Sequence, residues 1–481
     1  MVDNYRNGDV SHWMRGTGAE QPTRVQAESR RAPLPSEQQD LVIVGGGMTG
    51  LWTAYYAITE HPEWKITVLD AHEVGYGGSG RNGGWVSTLI PGNRAVYAKA
   101  ANKRGEDGKA AVRSFQHEMS AAITETLRVL EAEGINADEH RGGQLQAATT
   151  PAALKRLQAT YRANLDNGYD ESAIELLDAR AFKDRIGIAP ALGGMYYRDT
   201  ARVDPAKLTR GLAEVVESRG VTIREHAHVD AIEPGLAKTS RGIIRGRTVL
   251  SCLEAFTGAV QSSGPGFGKR EVIPVNSSMV VTAPLSDADW RRIGWDGREC
   301  LNDGAHTFVY AQRTADNRIA IGGRGTPYAY ASGLPGEGEV DAKTIKTLKD
   351  RLHFFFPEAN IAIDHAWRGS IGVTRDWCAG IYFDPATGIG NARGYAGHGV
   401  TATNLAARTL LDRVAGRSTN LTALPWNDHD SGLWEPEPIR WVGVHAMYSL
   451  FGVADAWEES RNSEHTSLIA RFGSRLAGLH E

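Results

Sequence analysis

Three glycine clusters carry the residues best placed to do chemistry. The first, Gly45-Gly46-Gly47-Met48-Thr49-Gly50, has GxGxxG spacing. Gly45 permits a tight turn, Gly47 lets backbone approach a ligand, and Gly50 lets a helix pack closely on a sheet. Unpaired N–H groups at the start of that helix, with the positive end of its dipole, suit a pyrophosphate. Asp70 follows Gly50 by 20 residues, with Ala71 beside it. A carboxylate there accepts hydrogen bonds from adenosine ribose hydroxyls. No arginine follows closely to hold a ribose phosphate, so a 2′-phosphorylated cofactor is disfavoured.

The second cluster, Gly77-Gly78-Ser79-Gly80-Arg81-Asn82-Gly83-Gly84, comes directly after the acid. A nicotinamide dehydrogenase would continue there into another βα unit. A glycine loop can instead run beneath a pyrophosphate and a flavin ring, with Arg81 and Asn82 offering donors to ring or phosphate oxygens. The third, Gly394-Tyr395-Ala396-Gly397-His398-Gly399-Val400-Thr401, turns into another helix. A helix N-terminus at the pyrimidine edge of a flavin would stabilise the negative charge of the reduced ring.

The elements that position these clusters can be read around them. Leu41-Val42-Ile43-Val44 is an apolar run suited to a buried parallel strand. Leu51, Ala54, Tyr55 and Ile58 make one helix face, and a second strand from Lys65 ends at Asp70. Residues 93–203 read as mainly helical, with a strand at 143–147. Asp204 N-caps a helix opening on Pro205. Strand chemistry dominates 273–330, and an apolar helix spans 441–457. The fold class is α/β: a Rossmann-type FAD-binding domain with an inserted mixed α/β substrate domain. The expected division is an arm at 1–37, an FAD-binding domain at 38–92, 204–272 and 358–416, a substrate domain at 93–203 and 273–357, and a helical tail at 417–481.

Composition excludes other classes. The 481 residues are 41% hydrophobic and 23% charged, with a formal net charge of −4, which gives no electrostatic basis for nucleic acid or an anionic membrane as partner. Cys252, Cys300 and Cys378 are far apart and read as buried thiols, so a reducing, cytoplasmic setting is expected. No metal site is expected, because no HExxH or paired cysteines occur. A GxSxG nucleophile elbow is also missing. Gly264-Pro265-Gly266-Phe267-Gly268 has the wrong spacing for a second nucleotide fingerprint.

With these motifs in this order, the sequence resembles the D-amino-acid-oxidase-like superfamily of FAD oxidoreductases, over residues 38–416. Residues 77–84 are similar to the GASGRNGG-like segment, and 394–400 to the GYSGHGV-like segment, of its gamma-glutamylputrescine oxidoreductase group. The resemblance implies a noncovalent FAD. Gly45, Gly47, Gly50 and Asp70, with Met48, Thr49 and Ala71, would hold the ADP half, and Val229 would contact adenine through its backbone. Gly78, Ser79, Arg81, Asn82, Gly83 and Gly84 would line the pyrophosphate and flavin. Gly397, His398 and Gly399, with Val400 and Thr401, would sit at the pyrimidine edge. Relatives with covalent flavin use a histidine that aligns with Asn82 or a cysteine that aligns near Gly369. Sarcosine oxidases place an oxygen-activating lysine where this chain has Ala320.

The expected reaction is oxidation of a small amine or amino acid, with oxygen or another acceptor taking the electrons. A neutral amine can transfer its α-hydrogen as hydride to flavin N5, leaving an imine that water hydrolyses, so no acid–base pair is required. The candidate pocket residues are His306, Tyr310 and Arg324 from the inserted sheet, Trp85 as a wall, and His398 assisting at the flavin edge; Arg324 could pair with a substrate carboxylate. Two alternatives stay open: a 2-hydroxy acid dehydrogenase of the same fold, and a flavin-binding protein without turnover. Since neither Asn82 nor Gly369 can make the bond formed in relatives, acid or heat should release intact FAD to the supernatant. Flavin remaining with the precipitated chain would contradict this.

Overall fold

Leu41, Val42, Ile43 and Val44 are all buried, with sheet neighbours on either side, which is why this run shows no polar alternation. In the computed structural model, which describes residues 5–15, 21–323 and 325–477, the Gln39–Val44 strand runs parallel between Gly242–Ser251 and Ile66–Leu69. Thr222–Arg224 extends this sheet on one side and Ile389–Arg393 on the other, both parallel. Gly380–Asp384 and the Val229–Glu233/Leu236–Thr239 hairpin complete eight strands. The helices Met48–Glu60, Pro205–Ser218 and Gly399–Val414 share one apolar cluster on this sheet. The turns that begin the first and third of these helices therefore emerge from one sheet edge, where the C-terminal ends of parallel strands leave a crevice.

The second sheet has nine strands, in the order Arg6–Asn7, Ile363–Val373, Ile273–Thr282, Ile319–Gly323, Tyr310–Arg313, Cys300–Asp303, Gln144–Ala148, Gly193–Tyr197 and Ile174–Asp178. Register places Asn302 opposite Tyr310, Tyr310 opposite Gly322, and Gly322 opposite Met279. These four share one face, because side chains alternate with a period of two. A short ribbon, Trp85–Val86 against Ala201–Arg202, follows the second glycine cluster.

The expected division differs from this architecture in three places. The N-terminal arm is packed rather than extended: Arg6–Asn7 pairs with Ile363–Val373, and Val10, Trp13 and Met14 are buried. Its polar composition hid an anchor of only a few residues. The strand Ile363–Val373, assigned to the FAD-binding segment 358–416, belongs to the nine-stranded sheet, where it pairs along Ile273–Thr282. Within 93–203, the helix Gly108–Glu133 buries Val112, Phe115 and Met119 in the cluster that backs the eight-stranded sheet. Helical periodicity identifies a buried face without saying which sheet will cover it. All three cysteines are buried and free.

Candidate functional site

The start of the Met48–Glu60 helix is the centre of the site. Gly47 is its N-cap and makes no side-chain cap; a Cβ there would lie 2.8 Å from Ser79 Oγ. That hydroxyl accepts the Met48 N–H at 2.8 Å, so the second glycine cluster lies directly against the first. Gly45 has φ +116°, which L side chains rarely adopt, and a Cβ there would meet Cys252 O at 2.5 Å. Asp70 accepts the N–H of Gly46 and of His72, each at 2.8 Å. Its next residue is the half-buried Ala71. The same turn meets the strand beginning at the buried Val229, since Ala227 N donates to Asp70 O at 2.8 Å.

The third cluster joins the first through Tyr395, whose hydroxyl is 3.1 Å from Thr49 Oγ1. His398 is the N-cap of the Gly399–Val414 helix and is half-buried, while Val400 and Thr401 are buried in its first turn. Glu254, which sequence reasoning missed, ties this turn down. Its carboxylate accepts the N–H of Tyr395 at 2.7 Å and that of Gly372. Burial raises its pKa to about 7, against the hydrogen bonds from those amides. The available signal was an acid just past the Gly242–Ser251 strand, at the ligand-binding edge of a parallel sheet.

Within the second cluster the side chains of Arg81 and Asn82 turn largely to the loop itself. Arg81 Nε donates to Tyr76 O at 2.7 Å, and Nη1 to Gly336 O at 2.9 Å and Arg368 O at 3.2 Å, while Nη2 is buried with no protein partner among the described residues. Asn82 Nδ2 donates to Gly78 O and Ser79 O at 3.0 and 2.9 Å, and its Oδ1 accepts Gly84 N–H at 2.7 Å. Both side chains brace the loop. Trp13 Nε1 and Trp367 Nε1 cap the carbonyls of Asn82 and Arg81, each at 2.9 Å. The loop's surface is thus built from backbone, and Gly83 lies against the Tyr310 ring, 2.7 Å from where its Cβ would be.

Tyr310 and Trp85 meet edge to face, with ring centroids 6.1 Å apart. The Tyr310 hydroxyl is 2.7 Å from Ser277 Oγ. His306 is not part of this wall: its Nε2 is 3.1 Å from Glu458 and its ring stacks on Phe451, in the C-terminal helix. An aromatic–acid pair on a distant helix gives no local sequence signal. Arg324 lies outside the described residues. Ala320 is buried in an apolar cluster with Met279 and Trp367.

Asp376, Cys378 and His429 also converge, their ligand-type atoms within 4.8 Å of one another. His429 Nε2 is 2.8 Å from Asp376 Oδ2. The thiol contacts Asn93 N at 3.4 Å and Asn93 O at 3.8 Å. A hydrogen-bonded pair beside a satisfied neutral thiol accounts for the group.

The residues present fit a dinucleotide. Two helix N-termini and an acid frame a space in which backbone, rather than side chains, forms the surface. Thr401 Oγ1 and Trp85 Nε1 are buried beside it with no protein partner among the described residues. The family model for DAO, the FAD-dependent oxidoreductases, matches residues 40–413. The chain belongs to this family. The DAO chain is 28% identical over 418 residues to gamma-glutamylputrescine oxidoreductase of Escherichia coli (strain K12), covering 85% of this chain and 92% of the relative. Glycine oxidase from Geobacillus kaustophilus has a similar structure, with TM-score 0.63, 18% identity and coverage of 80% and 96% of the two chains. The dithionite-reduced, FAD-bound L-alpha-glycerophosphate oxidase of Mycoplasma pneumoniae superposes with TM-score 0.62 at 14% identity, covering 81% and 99%. Among the described residues, no helix of this DAO protein is long and apolar enough to cross a membrane.

Burial pushes the Asp70 carboxyl up to about 6, opposed by the amides of His72 and Gly46. In the apoprotein the folded state therefore holds this proton more tightly than the unfolded chain. The group favours folding as pH falls from about 6 towards 4 and disfavours it above. Ribose hydroxyls donating to Asp70 would favour the ionised form, so FAD affinity should weaken as pH drops through about 6. Titrating apoprotein with FAD across this range checks it. Asp70→Asn should flatten the dependence, and Asp70→Ala should cost about 1.5–3 kcal/mol of binding; a wild-type pH profile in Asp70→Asn would remove Asp70 from the ribose.

Proposed function

We propose that this FAD-dependent oxidoreductase oxidises a small amine or amino acid to an imine, with noncovalent FAD and with oxygen or another acceptor taking the electrons. The observation that carries the reading is the convergence of three backbone-lined turns, joined by the Ser79–Met48 and Tyr395–Thr49 hydrogen bonds, beneath the Tyr310–Trp85 wall. FAD bound there supplies a two-electron acceptor for hydride from a carbon next to nitrogen.

The chain's own share is binding, orientation and exclusion of water. The Met48–Glu60 helix start would offer amides and a positive dipole end to the pyrophosphate, and Asp70 would accept from the ribose. The Gly399–Val414 helix would turn its positive end to the flavin, with His398, its N-cap, assisting. Tyr310 and Trp85 keep water from the reacting face, and the Tyr310–Ser277 hydroxyl pair offers a polar anchor for substrate. Arg324 would pair with a substrate carboxylate. No side chain has to remove a proton from carbon; the amine loses its ammonium proton to solvent before it binds. The similarity to gamma-glutamylputrescine oxidoreductase supports an amine donor. Noncovalent attachment is supported by Asn82, whose amide is spent on the loop, and by Gly369, which has no side chain to bond.

Holoenzyme mixed anaerobically with amines, polyamines and N-methyl amino acids should lose its oxidised-flavin absorbance with at least one of them. That reduction should slow on α-deuteration and quicken with pH as the amine deprotonates. Bleaching by 2-hydroxy acids alone would replace the reading with a hydroxy acid dehydrogenase. Bleaching by none of these compounds would point to a flavin protein without turnover.

A further inference from the structure

Residues beyond 413 lie outside the family match, yet their contacts fall around the space just described. Trp434 Nε1 donates to Val373 O at 2.8 Å, and its ring shares an apolar cluster with Ile371, Ala396 and Val444. Ala396 directly precedes Gly397, whose Cβ would lie 3.6 Å from Ile371 Cδ1. Trp434 therefore lies against the third glycine turn.

The helix Ile439–Arg461 then meets two loops of the nine-stranded sheet. His445 Nε2 is 2.8 Å from Tyr328 O, in the loop that follows the Ile319–Gly323 strand. At the far end Asp455 accepts His306 N–H and Thr307 N–H, each at 2.8 Å, and Thr307 Oγ1 at 2.5 Å. His306 and Thr307 lie in the loop that leads into the Tyr310 strand. The helix is thus anchored after the Ile319–Gly323 strand and before the Tyr310–Arg313 strand, with Trp434 resting against the third glycine turn. Val444, Tyr448, Phe451 and Asp455 recur at i, i+4, i+7 and i+11, which puts them on the face between these anchors. The Tyr448 hydroxyl is shielded from solvent.

We propose that segment 434–458 is the outer wall of the substrate chamber, and that the bulk of Tyr448 sets how large a substrate group is admitted. The proposal rests on the amine-oxidising reading of the site.

Sulfite, a small nucleophile that bleaches an accessible flavin, probes the wall without any amine. In folded, FAD-replete holoenzyme, Tyr448→Ala and Asp455→Ala should each speed sulfite bleaching at least about tenfold, and Tyr448→Trp should slow it. Tyr448→Ala should also shift kcat/KM towards bulkier amines, through KM. If Asp455→Ala fails to fold, the opposed effects of Ala and Trp at 448 still decide. Equal sulfite rates in wild type and both Tyr448 variants would overturn the wall. A size-ordered sulfite response with no amine able to reduce the flavin would uphold the wall and overturn only the amine reading.

Discussion

The unpaired amides at the start of the Met48–Glu60 helix are the constraint on which the other parts of the site depend. Gly47 leaves them without a side-chain cap, and among the described residues the Ser79 hydroxyl meets the Met48 N–H. A buried helix start with so little protein compensation needs an outside acceptor. The parallel sheet fixes its direction, because Gln39–Val44 sits between two parallel neighbours and can deliver its helix only to one edge. The same edge receives the Gly399–Val414 helix from the Ile389–Arg393 strand, two positions away across Gly242–Ser251. Two positive helix ends therefore face one crevice, which suits a ligand with negative charge at one place and an electron-accepting ring at another.

Around this crevice the polar side chains mainly hold backbone in place. Asn82 spends its amide donors on carbonyls, as do Nε and Nη1 of Arg81, and Glu254 gathers amides of two separate segments. Rigid backbone needs no reorganisation when charge develops, which is the condition for electrostatic stabilisation in a dry site. The nine-stranded sheet differs: there the Tyr310 and Trp85 rings and the Tyr310 and Ser277 hydroxyls meet.

The glycine turns and the acid were legible because their signals are local. A strand, a turn with defined glycine positions, a helix and Asp70 lie within about thirty residues, and each requirement acts on its own residue type. Long-range pairings were not legible. Nothing in the sequence 363–373 says whether it pairs in the nucleotide sheet or beside Ile273–Thr282. The carbonyls that meet Arg81 Nη1 were not legible either, since Gly336 and Arg368 lie more than 250 residues away. His306 was misplaced for a similar reason, since its partner Glu458 is 152 residues away.

Gly47→Ala tests the central claim, that backbone at the first turn makes room for the pyrophosphate of FAD. Gly47 has φ −85° and ψ −177°, a conformation open to alanine, and its nearest neighbour would be the end of a flexible serine. The fold should accept the methyl group while the ligand loses its closest approach. Titration of the folded apoprotein with FAD should then show an affinity at least about tenfold weaker than wild type, with an unchanged far-ultraviolet spectrum. Wild-type affinity for FAD in Gly47→Ala would contradict the account.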